Sequence, residues 1–253
     1  MFERKGIIIE FVGPPGSGKT TSSLVFAEQL RKKGLIVLLR EDLKLYVKNK
    51  GLISKLRLFV NTLFFKGPIL IHFTIKLALH KIFSFDAIYR YLKLSFYNLA
   101  LSEFRRQTKA DIIILDQWII QEIWSATIFK RTDYYKLLKK MERFYFRTDT
   151  VIYLEADAVT ASTRIEFRQN GLSRFDRMSP IVREQQIEKY NMYLFQLYNI
   201  SPCQVKHVLP ANQLPSHNAS AFISHLTVFF KRELLEMRSE VRQKSRIHKT
   251  IEL

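Results

Sequence analysis

The residues with the plainest chemical purpose are Gly13, Pro14, Pro15, Gly16, Ser17, Gly18, Lys19 and Thr20, which fit the phosphate-loop pattern G-x-x-x-x-G-K-[ST]. Glycines let a backbone wrap closely around a polyphosphate, so that amide N–H groups and the start of the following helix point at negative charge. In that pattern Gly13, Pro14, Gly16, Ser17 and Gly18 form the cradle, Lys19 reaches the β and γ phosphates, and Thr20 offers a hydroxyl to Mg²⁺, with Thr21 beside it. Nucleotide binding, with ATP as the expected nucleotide, is the first expectation.

Two further groups of residues bear on the chemistry that a bound nucleotide would undergo. Asp116 ends the apolar run Ile112–Leu115, where a carboxylate can serve a metal ion held at the phosphate loop. Arg164, Arg168, Arg174 and Arg177 cluster along a helix end and a glycine-containing loop, a composition suited to a lid over residues 168–180. Guanidinium groups closing over a transferring phosphoryl group stabilise its charge and exclude water. Gln117 follows Asp116 at the place where water-activating ATPases carry a glutamate, and an amide cannot take a proton as a carboxylate does, so water-driven ATP hydrolysis is disfavoured. The guanine-reading N-K-x-D motif of GTPases is absent.

The elements that must position these residues follow from apolar runs and helical spacing. Strands are expected over 7–12, 35–39, 112–116, 150–154 and 205–209, and helices over 21–33, 157–168, 181–200 and 219–238, with helical segments through Trp124 and Tyr134 to Phe146. Alternation of strand and helix predicts an α/β phosphate-loop NTPase fold: a five-stranded parallel sheet with helices on both faces, an inserted helical segment and an arginine-rich lid. Residues 1–238 are expected to form one domain and 239–253 a basic tail. Arg40, Glu41 and Asp42 are read as the charged exit of the second strand, at the end where parallel sheets place their ligands.

The inserted segment, 43–110, is helical, aromatic and basic: thirteen lysines and arginines against Asp86 and Glu103, an excess of +11 out of a chain total of +18. Phe85, Ile88, Tyr89, Leu92, Phe96, Leu99 and Ala100 are expected to form its buried stripe, with Arg90, Lys93 and Asn98 opposite. The charge suits polyanionic company, and two readings stay open for this segment: a cap whose lysines simply face water, or a surface for anionic lipid or nucleic acid. The single cysteine, Cys203, gives no internal disulfide, and the first strand begins almost at once, so a cytoplasmic protein, peripheral to the membrane if the basic segment binds lipid, is expected.

Gly16-Ser17-Gly18-Lys19-Thr20-Thr21, Arg40-Glu41, Asp116, and Tyr153-Leu154-Glu155-Ala156 leading through Arg164 to Ser173-Arg174-Phe175-Asp176 together resemble the thymidylate kinase family of nucleotide kinases, and more loosely the deoxynucleoside kinases. The resemblance covers residues 6 to about 210. It implies ATP- and Mg²⁺-dependent transfer of a phosphoryl group to a nucleoside monophosphate, with Lys19 and Thr20 holding Mg-ATP, Arg40 and Glu41 facing the acceptor, Asp116 serving the metal or orienting the acceptor, and the lid arginines gripping the transferring group. Glu41 is also the candidate base for a hydroxyl acceptor. Two departures fall on the acceptor side: Asp116-Gln117-Trp118 stands where the family has Asp-Arg and an aromatic residue, and Asp42-Leu43-Lys44 replaces the usual proline and glycines after Arg-Glu. Gln117 therefore occupies a substrate-facing position. Other acceptors (a sugar linked to a membrane, a nucleic-acid end) and a role as an ATP-binding module without transfer stay open, as does a homodimer.

Overall fold

The computed structural model describes residues 6–61, 85–128, 148–168 and 173–229, and expectations for Tyr134 to Phe146, the lid tip at 169–172 and the tail fall outside them. Five parallel strands, β1 (Ile7–Val12), β2 (Val37–Leu39), β3 (Ile112–Leu115), β4 (Thr150–Glu155) and β5 (Val205–Pro210), form one sheet in the order β2-β3-β1-β4-β5. The helices are α1 (Lys19–Lys32), α2 (Arg40–Asn49), α3 (52–61), α4 (Phe85–Thr108), α5 (Ile119–Thr127), α6 (Ala158–Arg168), α7 (Pro180–Ile200) and α8 (Pro215–Phe229), with a single 3₁₀ turn at Phe175–Arg177.

Because strand side chains alternate, β1 feeds two cores. Ile7, Ile9 and Phe11 pack against Phe26, Ala27 and Leu30 of α1 and Ala219, Phe222 and Ile223 of α8. Ile8 and Val12 join the larger core formed with α2 to α7. Glu10 lies between them on that second face, fully buried. Chain order reverses about β1, since β2 and β3 lie on one side of it and β4 and β5 on the other. Such a reversal opens a crevice beyond the carboxyl ends of the strands.

Two expectations require correction. Arg40, Glu41 and Asp42 are no loop: they are the first turn of α2, because Asp42 Oδ2 accepts the Leu39 amide at 2.7 Å and so satisfies one of the donors a helix start leaves free. The buried stripe of α4 is also rotated. Leu94, Ser95, Asn98, Ala100, Leu101 and Phe104 are buried, whereas Tyr89 is exposed and Leu92, Phe96 and Leu99 are only partly covered. Small polar side chains here pack inward beside leucine, so aromatic spacing misplaces the stripe. On α7 the expected face holds: Ile187, Tyr190, Leu194 and Leu197 are buried, and Asn191 accepts a hydrogen bond from the Tyr153 hydroxyl.

Candidate active site

The loop between β1 and α1 requires its glycines. Gly16 has φ +83°, and a Cβ on it would stand 2.2 Å from the Ala161 carbonyl oxygen of α6; Gly18 caps α1 at φ +85°. Both conformations are costly for side-chain-bearing residues, and the first approach forbids them. Lys19 curls back over the loop, its Nζ donating to the carbonyls of Gly13 and Pro14 at 2.8 Å each. The residue keeps intermediate exposure, but its ammonium is tucked under the loop. Desolvation there lowers it from the usual lysine range to about 7, opposed by the charge of Asp116 and assisted by that of Arg168.

Thr20, Asp116 and Arg40 form a hydrogen-bonded line from α1 across the end of β3 to α2. Thr20 Oγ1 donates to Asp116 Oδ2 at 2.7 Å, and Arg40 Nη1 donates to Asp116 Oδ1 at 3.3 Å. Arg40 and Asp116 keep only 16% and 12% of their side-chain exposure, so this pair is better shielded from water and salt than a surface ion pair. Two hard oxygens so close suit a cation that prefers oxygen ligands, and Thr20 and Asp116 fit Mg²⁺ in this respect. Glu41 stands apart: it is exposed and bound to Lys44 at 2.5 Å. Gln117 follows Asp116 with intermediate exposure, immediately before the buried Trp118 and α5.

The arginines do not all face the loop in the same way. Arg164 Nη1 lies 4.0 Å from where a Cβ on Gly18 would stand, and Nη2 donates to the Ala211 carbonyl at 2.9 Å. Arg168 pairs with Asp176 at 2.7 Å. Burial pushes the Asp176 carboxyl up, but hydrogen bonds from the Ser173 hydroxyl and amide and from Arg168 outweigh it and hold the group below the usual range. Arg174 donates to the Ser125 carbonyl at 2.5 Å, turning toward α5, and Arg177 is exposed. Behind them Arg183, buried at 5% exposure, donates to the carbonyls of Phe175, Ser162 and Met178, and so ties the 3₁₀ turn to α6.

Sequence reasoning missed Arg183 and two other features. Glu10 Oε1 accepts the amides of Ile120 and Gln121 at 2.9 and 3.2 Å, fixing the start of α5, and Gln121 Oε1 in turn accepts the Gly13 amide at 3.3 Å. A carboxyl buried in the core thus reaches the phosphate loop through one helix start. Desolvation raises it to about 8, against the lowering effect of those amides. The second feature is Glu122, 5% exposed, which meets Arg90 at 3.2 Å and Lys93 at 3.8 Å from α4. Burial lowers the Lys93 ammonium below its ordinary range, Glu122 opposes the shift, and Arg40, Arg90 and Lys44 add to it. Lys93, Glu122, Arg90, Lys44 and Arg40 therefore share one electrostatic neighbourhood, which Arg40 joins to Asp116. A lone acid inside an apolar run, Ile7–Val12 or Ile119–Trp124, was the available signal.

This sheet and loop define an α/β phosphate-loop NTPase fold. The chain is similar to the deoxyadenosine kinase of M. mycoides solved with its products dCMP and a flexible dCDP, at a TM-score of 0.50 and 16% identity over 88% of this chain and 100% of that one. The same enzyme with bound dCTP gives 0.48 and 17% over the same shares. At such identity the likeness is one of fold. No family model and no curated protein matches the sequence.

Proposed function

We propose that the chain is an ATP- and Mg²⁺-dependent kinase that phosphorylates a nucleotide acceptor, in the manner of thymidylate kinases. The observation that supports this reading is the hydrogen-bonded line Thr20–Asp116–Arg40, a hydroxyl, a strand-end carboxylate and a guanidinium in contact beside the phosphate loop. Thr20 and Asp116 would hold Mg²⁺, whose chemistry is to bridge and neutralise phosphate oxygens. Lys19 exchanges its loop carbonyls for polyphosphate oxygens, and Arg164 and Arg168 gather charge on the transferring group from the side of α6. Arg40, Lys44, Arg90 and Lys93 outnumber the acids Asp116, Glu41 and Glu122 around the acceptor, which favours an anionic one. A phosphate acceptor is already ionised and needs no strong base, which agrees with an exposed Glu41 tied to Lys44.

The test is ADP release from Mg-ATP with thymidine monophosphate, the other nucleoside monophosphates and the deoxynucleosides, against Lys19→Ala as background. Acceptor-dependent ADP several orders of magnitude above the variant is the expected result. ADP at background with every phosphorylated acceptor, or turnover unchanged in Lys19→Ala, overturns the reading.

A further inference from the structure

Helix α3 is seated inside out. Its buried apolar residue is Leu58, whereas Leu52, Ile53, Leu56, Phe59 and Val60 are between 46% and 84% exposed. At about 100° per residue these five fall within an arc of about 120°, the width of an apolar stripe that globular helices normally turn inward. The face turned toward the protein carries Ser54 and Asn61 beside Leu58 and, with the exposed Arg57 at its edge, lines a cavity of ≈ 420 Å³ shared with Lys50, Glu103 and Arg106. That polar seat cannot take the apolar stripe in exchange without stranding cations against it, so the outward stripe is a property of the fold.

We infer that α3 is an in-plane membrane-surface helix that docks this protein on an anionic lipid bilayer. Lys55 and Arg57 stand about 40° beyond the two edges of the stripe, where long basic side chains rise from an interface to the headgroups. Lys48, in the last turn of α2, is exposed, and Lys55 donates to its backbone carbonyl at 2.8 Å, so a further basic residue lies beside that edge of the stripe. A neutral apolar partner would leave this charge unanswered. Phosphate-bearing lipid answers both features, and the segment's excess of +11 adds long-range attraction to it. Among the described residues no helix is long and apolar enough to cross a membrane. The inference stands independently of the acceptor's identity.

The experiment is flotation of the full chain with vesicles of phosphatidylcholine alone or with about one third phosphatidylglycerol, at low and high salt. Leu56→Gln/Phe59→Gln and Lys55→Glu/Arg57→Glu are compared with the parent, with circular dichroism confirming that these changes leave the fold intact. Binding to the anionic vesicles, weakened at least ~tenfold by either pair and by high salt, is expected. Vesicle binding indifferent to Leu56→Gln/Phe59→Gln overturns the inference, as does no binding at low salt. So does the finding that this pair abolishes self-association in sedimentation velocity without changing flotation, which would make a second copy the occupant. Oligonucleotide binding lost in Lys55→Glu/Arg57→Glu, with no vesicle binding by the parent, would assign the charge to nucleic acid.

Discussion

Thr20 Oγ1 and Asp116 Oδ2 are 2.7 Å apart, although 96 residues separate them in the chain. The contact joins the first turn after the phosphate loop to the end of β3. Asp116→Asn keeps the shape but leaves one acceptor oxygen where Thr20 and Arg40 donate to two, and it removes the charge that faces Arg40 and the proposed metal position. Phosphoryl transfer should fall by ~100-fold or more in kcat, with a higher Mg²⁺ requirement. Steady-state rates across a Mg²⁺ titration check this, and a loss under about threefold would remove Asp116 from the proposed machinery.

Arg90 and Lys93 reach Glu122 from α4, on the side of the site proposed to take the acceptor. Substituting both by Ala should raise the acceptor KM by ~10- to 100-fold while leaving the KM for ATP within about twofold. An equal rise in both constants would instead report a disturbed fold.

Glu10 gives a pH signature in stability. Its Oε1 is hydrogen-bonded, its Oε2 has no partner among the described residues, and burial raises the group from 4.5 to about 8. The folded protein holds this proton more tightly than the unfolded chain, so the contribution is present below pH 4.5 and is lost as pH rises toward 8. The stability of the parent relative to Glu10→Gln should therefore decline across that window, at a slope of at most about 1.4 kcal/mol per pH unit. Urea unfolding at pH 5, 6.5 and 8 measures the difference, and parallel curves for the two proteins would refute it.

Local signals made the phosphate loop and the five strands legible, because an apolar run followed by glycines and a helix needs no distant information. Asp116 was legible for the same reason. Glu10 was not: an acid inside a strand is balanced by the start of α5, 110 residues away, and no spacing rule reaches that far. The face of α4 was misjudged because Ser95 and Asn98 turn inward while Tyr89 turns out. Arg40 does stand at the strand end, but in a helix rather than a loop, since Asp42 is a cap as well as a charge. Arg183 resembles any basic residue near a helix start until its three carbonyl partners, 5 to 21 residues away, are seen.

Helix α4 runs unbroken from Phe85 to Thr108. Near one end Arg90 holds Glu122, and near the other Glu103 holds Lys50 at 2.7 Å, just before α3. At 1.5 Å of rise per residue these two anchor points are about 20 Å apart on one rod. That rod fixes the spacing between the foot of α3 and the cluster of Arg90, Lys93 and Glu122, so the two regions move as one body.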